Sequence, residues 1–222
     1  LLRMGRIKGV SRPAIATVLP VPNSIRATVL LDAGANAECQ PEWLVQFAQM
    51  GSVFARHRFG LDEPRVGLLS IGEEHTKGNS LVKETHALLE TAPGVCFIGN
   101  VEGRDILTDD VDIVVTDGFS GNVVLKALEG ALSSIMAAVE QALTATDDLA
   151  AHFEPVRPAL ADLYERLEPE SFGGAMLLGV SGVCIISHGS SSSKAVLNAI
   201  KMAREMVVEE VVGELRAAVA AG

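Results

Sequence analysis

The sequence predicts an α/β protein: a mostly parallel sheet with helices on both faces. Three observations carry this. Short apolar, β-branched runs alternate with segments of helical period along most of the chain. Most of those runs end in loops of glycine, asparagine and acidic residues. The clearest case is residues 111–126, V-D-I-V-V-T-D-G-F-S-G-N-V-V-L-K. There a β-branched run at 113–116 is broken by Asp117-Gly118, capped by Ser120-Gly121-Asn122 and continued as a helix.

The elements follow in order. Residues 14–19 form an apolar run between Pro13 and Pro20, hence a strand, and Pro22-Asn23-Ser24 is a turn. Residues 28–31 are a second strand that runs into Asp32-Ala33-Gly34-Ala35-Asn36. Pro41 opens a helix at its favoured first position, continuing to Phe59 with Leu44, Phe47, Ala48, Gly51 and Ala55 on one face. Trp43, the only tryptophan, is assigned to packing. A third strand at 65–71 ends in G-E-E-H-T-K-G-N, and a helix at 80–90 turns Leu81, Thr85, Leu88 and Leu89 inward. A fourth strand at 95–98 ends in G-N-V-E-G-R-D, and the fifth is the run at 113–116, whose helix extends to about residue 145.

Beyond it, residues 125–168 read as a helical hairpin arm. It would pack on its own domain, join a dimer or touch a membrane with Leu149 and Phe153. Residues 171–175 are a flexible return. Residues 183–187 (V-C-I-I-S) are apolar throughout and predict a central strand leading to His188-Gly189-Ser190. One final helix follows, with Val196, Ile200, Ala203, Val207, Val211 and Leu215 inward. The whole is read as one catalytic domain over 1–222.

Composition limits the function. The chain is 48% hydrophobic over 222 residues, enough for a sizeable core. A net charge of −10 speaks against nucleic acid, yet local dipoles can still hold a small anion. Three cysteines, an odd number, give no disulfide framework and suit a reducing cytosol. Cys96 and Cys184 read as buried strand thiols, and Cys39 lies in a loop. No signal peptide is read in these residues, and no apolar run approaches the roughly 20 residues of a membrane span. The opening at Leu1, without methionine, reads as the middle of something longer, so an N-terminal part is expected ahead of it.

In a parallel sheet, ligands bind at the carboxyl ends of the strands. The loops at 32–36, 72–79, 99–105 and 117–122 are therefore expected to converge on one rim. Residues 117–122 make a strand–turn–helix start whose backbone N–H groups can face an anion. Asn122 adds a side-chain donor. Lys126, one turn on, lies along the same helix or is a solvated surface lysine. Lys77-Gly78-Asn79, a lysine between a strand and a helix start, suits anion capture. His188 is a candidate proton relay, or a structural histidine. No zinc-site spacing, G-x-S-x-G elbow, Walker A loop or G-x-G-x-x-G fingerprint is present. These residues point to phosphate and leave the reaction open.

The loops I-G-E-E-H-T-K-G-N (71–79), F-I-G-N-V-E-G-R-D (97–105), D-G-F-S-G-N (117–122) and H-G-S-S (188–191) resemble the phosphate acyltransferase family of bacterial phospholipid synthesis, the PlsX family. R-I-K-G-V at 6–10 and L-L-D-A-G-A-N at 30–36 match as well. The resemblance covers essentially all of the chain. His75 and Thr76 stand where the family is often acidic, and Ser120 where threonine is usual.

The resemblance implies a fold similar to phosphotransacetylase and to the isocitrate/isopropylmalate dehydrogenases. It implies attack of inorganic phosphate on a long-chain acyl-acyl carrier protein, giving acyl phosphate. It also implies a homodimer, peripheral membrane contact in the cytoplasm, a downstream glycerol-phosphate acyltransferase, and no metal or cofactor. On that reading Lys77 serves phosphate or oxyanion charge, and Asn122 with the backbone amides of 118–122, those of Gly118, Ser120 and Gly121 among them, binds phosphate or the carbonyl oxygen. Asn36, Asn79, Asn100, Glu102 and Gly103 shape the rim, with Gly189 and Ser190 beside it. His188 would give a proton to sulfur, and Asp117 would orient its loop or Lys77. The alternatives are a phosphotransacetylase acting on short-chain acyl-CoA and an inactive dimerising or membrane-tethering fragment.

Overall fold

Connection length decides how these strands pair. The computed structural model describes residues 4–22, 24, 26–167, 174–187, 189 and 191–220. Strands β1 (Ala14–Pro20) and β2 (Ala27–Leu31) are joined only by residues 21–26. That is too short for a crossover, so they form an antiparallel hairpin, from Ala16 opposite Leu31 to Pro20 opposite Ala27. Strands β3 (Arg65–Leu69), β4 (Cys96–Val101) and β5 (Ile113–Val115) are separated by helices or longer loops, and with β2 they pair in parallel. Strand β6 (Ala175–Leu178) is antiparallel to β1, and β7 (Ile185–Ile186) is antiparallel to β6. The result is one seven-stranded sheet in the order β4-β3-β5-β2-β1-β6-β7.

The sheet is therefore mixed, parallel over β4-β3-β5-β2 and antiparallel beyond, where the sequence predicts a mostly parallel one. The carboxyl ends of β2, β3, β4 and β5 share one rim, as the sequence predicts. The end of β1 does not. Because β1 runs the other way, its start joins the rim: Ala33 N–H donates to Ile15 O at 2.9 Å.

Side chains alternate along each strand, so the two faces carry different residues. Val29, Leu31, Val66, Leu68, Ile113 and Val115 face one core. Leu30 and Val114 face a smaller one with Leu19, Val101, Ile106 and Val111. The first core is closed by α1 (Pro41–Phe59), which buries Leu44, Phe47, Ala48 and Phe54, and by α7 (Val211–Ala220) packed on α1. Burying each of the two phenylalanines stabilises the fold by about 2–3 kcal/mol. Helix α2 (Ser80–Leu89) buries Thr85 and Leu89, while Leu88 is exposed rather than inward. On the other face lies α3 (Gly118–Leu143), with Val124, Leu125 and Leu128 against the smaller core. Helices thus cover both faces.

Several expectations change. The segment 183–187 is not central: β7 is a two-residue strand at the sheet edge, half-buried and exposed by turns. Its apolar run packs only on one side, and continuous hydrophobicity does not separate a central strand from such an edge. Of the expected flexible return, residues 171–173 lie outside the described residues, and Ala175 begins a strand, β6, that was not expected. Cys96, read as buried, is exposed because β4 is the opposite edge. Where two helical segments were expected after β5 there are three: α3, α4 (Asp147–Phe153) and α5 (Arg157–Leu167).

The single final helix is two. Helix α6 (Ser193–Val208) ends before Glu210, whose φ of 54° breaks the helix, and α7 follows. Its inner face is shifted by about one position. Ala195, Ala199, Met202 and Met206 are buried, whereas Val196, Ile200 and Val207 are exposed; Val211 and Leu215 are buried as expected. The branched residues misled the reading, because the smaller alanines and flexible methionines fit the tight contact. Finally, α3 is long and apolar enough to cross a membrane by length and composition, with a mean hydropathy of 1.4 over 18 residues, none of them buried. The charges of Lys126 and Glu129 interrupt that stretch, which is why no continuous apolar run signals it.

Candidate active site

The rim is built by loops whose order follows the strand order. From the β4 side come 101–105, then 70–79 after β3, 116–122 after β5, 32–36 after β2, and Arg12-Pro13 ahead of β1.

The β2 and β5 loops are locked together. Asp32 is fully buried, and its carboxylate accepts from the backbone N–H of Ile15 (3.0 Å), Gly34 (3.1 Å), Ala35 (2.9 Å) and Asn36 (2.8 Å). It also accepts from Asn36 Nδ2 at 2.8 Å, and that amide donates to Pro13 O at 2.8 Å as well. Asn36 is thus used to hold the loop. Gly118 N–H donates to Asn36 O at 2.7 Å, and a Cβ on Gly118 would stand 2.6 Å from that oxygen. A Cβ on Gly121 would stand 2.0 Å from Asp32 O. Both glycines are therefore required by the close approach of two backbones, and both are buried. Asn122, by contrast, is exposed beside Gly34, and its side-chain amide makes no hydrogen bond among the described residues.

The start of α3 is more occupied than the sequence suggested. Asp117 is its N-cap, accepting from Ser120 N–H and Ser120 Oγ, both at 2.9 Å. Gly121 N–H bonds Asp117 O at 2.9 Å. Of the amides expected to bind an anion, those of Gly118, Ser120 and Gly121 thus already have protein acceptors. Asp117 orients its own turn, and it makes no ion pair with Lys77. Lys126 pairs with Glu129 at 2.7 Å on the helix surface.

The β3 and β4 loops are held by side chains. Asn100, buried at the end of β4, donates from Nδ2 to Glu74 O at 2.9 Å. Its Oδ1 lies 3.0 Å from His86 Nδ1, so that ring nitrogen carries the proton. Asn100 thereby fixes the 72–79 loop to α2. Asn79 caps α2 by accepting from Val82 N–H at 3.0 Å, and Gly78 precedes it at φ 92°. Lys77 is exposed, with its stem over Gly72, and makes no ion pair among the described residues.

Glu102 pairs with Arg104 at 2.6 Å, and Arg104 also reaches Glu73 (3.5 Å) and Asp105 (3.8 Å). These three carboxylates are close enough to share a cation, and the Arg104 guanidinium already serves them all. Gly103 is exposed beside them.

His188 and Ser190 lie outside the described residues. β7 runs away from the rim, since its partner β6 ends beside the start of β1. Gly189 is exposed.

Sequence reasoning missed Asp32, Arg12, His86 and Ser70. Asp32 had a signal, an acid between an apolar strand and a glycine loop. Ser70, just after β3, has a buried Oγ with no partner among the described residues. Arg12 was overlooked because β1 was read as running parallel. No thiolate is available as a nucleophile at Cys39. Burial pushes its thiol up to about 11, the charges of Asp32 and Asp117 add to the rise, and a hydrogen bond from the Gly118 backbone only partly offsets it.

The fold is similar to that of phosphotransacylases of known structure. A branched-chain phosphotransacylase from Enterococcus faecalis matches with a TM-score of 0.55 at 16% identity, over 89% of this chain and 66% of that one. A phosphotransacetylase from Streptococcus pyogenes matches with a TM-score of 0.58 at 18% identity, over 92% of this chain and 56% of that one. The chain belongs to the family described as fatty acid synthesis protein, whose model matches residues 1–214. Among curated relatives, the phosphate acyltransferase of Synechocystis is 45% identical over 213 residues, 95% of this chain and 61% of the relative. That of Pelotomaculum thermopropionicum is 48% identical over 219 residues, 99% of this chain and 63% of the relative. The chain thus spans a little over three fifths of the length of these relatives.

Proposed function

We propose that this chain carries the phosphate and thioester site of an acyl-carrier-protein:phosphate acyltransferase. The observation that carries the reading is the pair of uncommitted polar groups on adjacent loops of the rim, the Lys77 ammonium after β3 and the Asn122 amide after β5. Around them Asp32, Asn36, Asn79, Asn100 and Asp117 are spent on holding loops. The family and its relatives' name support the reaction class.

Inorganic phosphate, as HPO4²⁻, attacks the thioester carbonyl of a long-chain acyl-carrier protein. A P–O–C bond forms, the C–S bond breaks, and the phosphate proton ends on the leaving sulfur. The products are acyl phosphate and free carrier thiol. No protein nucleophile enters, in keeping with the raised thiol of Cys39. The demands on the protein are placement of phosphate against the carbonyl and stabilisation of the oxyanion. Lys77 supplies charge and Asn122 a hydrogen-bond donor. The thiol, with an ordinary pKa near ~8.5, leaves readily.

The wider setting belongs to the same proposal: cytoplasmic, peripheral at the membrane, homodimeric, feeding a glycerol-phosphate acyltransferase. The α3–α5 segment is then the helical hairpin arm, with Arg157 reaching Glu140 across it at 3.7 Å. Exposed apolar residues on α3 (Phe119, Val123, Ile135) and α6 (Val196, Ile200) offer surface for a second subunit or a membrane.

The test is to trap acyl phosphate with hydroxylamine, using acyl-carrier protein and acetyl-CoA in parallel. Hydroxamate from the long-chain carrier substrate is expected. A preference for acetyl-CoA would make the protein a short-chain phosphotransacetylase. No product from either, at the relatives' full length, would leave a dimerising or tethering module.

A further inference from the structure

The start of β1 carries a group that the catalytic proposal does not use. Arg12 is exposed, makes no ion pair among the described residues, and holds its guanidinium 5.0 Å from the centre of the Trp43 ring. Such a cation–π contact fixes the direction of an arginine while leaving its donors open. Arg12 and Trp43 line an open cavity of about 420 Å³ with Asn36, Glu38, Cys39 and Gln40. Asn36 is the residue clamped by Asp32 and packed on Gly118, so the cavity is continuous with the rim.

Two cations of the rim make no ion pair among the described residues, and they stand at different places. Lys77 follows β3 and Arg12 precedes β1, and the sheet order β3-β5-β2-β1 puts three strand spacings between those strands, about 14 Å. An inorganic phosphate cannot span that. An acyl donor with its thioester at one end of a flexible arm and a phosphate at the other can. Between the cations, in order, lie Asn122 and Asn36.

We propose that Arg12, held over Trp43, binds the phosphate of a phosphopantetheine-type acyl donor whose thioester lies toward Asn122 and Lys77. Gln40 lines the path of the arm, whose amides and hydroxyl need polar neighbours, and Asn36, its Nδ2 already bonded to Asp32 and Pro13, forms the wall beside it. Glu38, an acid on the same cavity wall, limits the site to a single phosphate group and disfavours more highly charged donors. The identity of the donor rests on the acyl-transfer reading above. The recognition of a phosphate by Arg12 does not.

Trp43 is the only tryptophan, so its emission reports on this cavity alone. The 222-residue chain is titrated with 4′-phosphopantetheine, with pantetheine and with inorganic phosphate, followed by Trp43 fluorescence and by calorimetry. 4′-Phosphopantetheine is expected to bind at least ~tenfold more tightly than pantetheine, a difference of ~1.4 kcal/mol. Arg12→Gln is expected to erase that ratio while leaving pantetheine affinity and the circular dichroism spectrum unchanged, and Arg12→Lys to restore part of it. The proposal is overturned by equal binding of the two pantetheines, by a ratio that survives Arg12→Gln, by no binding in either assay, or by inorganic phosphate saturating the signal as tightly as 4′-phosphopantetheine. A ratio that depends on Arg12, without acyl phosphate formation, would sink the acyl-transfer reading and keep the phosphate site. Turnover that is indifferent to Arg12 would do the reverse.

Discussion

The two halves of the rim are held by different means. The β2/β5 half is closed by backbone on backbone. Asp32 gathers the amides of its own loop, and Gly118 and Gly121 let the α3 start sit against it. The β3/β4 half is held by side chains, with Asn100 reaching Glu74 O and Arg104 bridging three acids. The first half has little left to offer a ligand beyond Asn122. The second leaves Lys77 free on an exposed loop. A wall closed by backbone contacts thus faces a charged one held by side chains.

The comparison breaks most visibly at Gly121. Gly121→Ala pushes a methyl into Asp32 O, so a loss of about 3 kcal/mol or more is expected in denaturant unfolding. An unchanged midpoint would mean that the two backbones are not in contact. Asp32→Asn comes next. It replaces an acceptor by a donor facing Asn36, leaves a buried N–H without a partner, and is expected to cost about 2 kcal/mol by the same measurement.

Lys77→Ala and Asn122→Ala sharpen the other side of the contrast. Both residues are exposed and carry no structural bond, so stability should hold within about 0.5 kcal/mol. Turnover in the hydroxylamine assay should nonetheless fall at least ~tenfold, or ~1.4 kcal/mol of transition-state binding. Wild-type rates in folded variants would remove both from the site.

The smallest effect is expected at the seam between the halves. Asp112, at the start of β5, takes a bidentate pair from Arg65 at the start of β3 (Nε 2.9 Å, Nη2 3.0 Å) and the Arg65 N–H at 2.8 Å. Burial alone would raise its carboxyl, but these bonds and the charges of Arg65 and Arg26 outweigh it and hold it below the ordinary range. A depressed folded pKa means that the stabilisation is present above the unfolded value, about 3.9, and is lost as pH falls through the folded one. Acid titration should therefore show stability falling below about pH 4, and Asp112→Asn should reduce that slope. An identical acid limb in the variant would show that the seam contributes nothing.

Much of this was legible in the chain. Helix α1 is bounded by Pro41 and Gly60, and its period placed Leu44, Phe47, Ala48, Gly51 and Ala55 inward as found. The strand–loop–helix punctuation placed the 32–36, 72–79, 99–105 and 117–122 loops on one rim. Strand direction was less legible. Residues 21–26 are too short for a crossover, and weighing that length would have turned β1 around and brought Arg12 to the site. The edge position of β7 depends on what covers its faces, which no local pattern records. Commitment of polar groups was the hardest to see. Asp117, Asn79, Asn100 and Asn36 carry the residue types of a binding site, yet each is used by a cap or loop that only the folded chain reveals.

The central claim is that phosphate sits where the two halves meet. The direct measurement is a crystal structure with inorganic phosphate bound, in a protein of the relatives' full length. Phosphate oxygens within hydrogen-bond distance of Lys77 Nζ and the Asn122 side-chain amide are the predicted result. Phosphate bound elsewhere, with Lys77 and Asn122 still facing solvent, would contradict it.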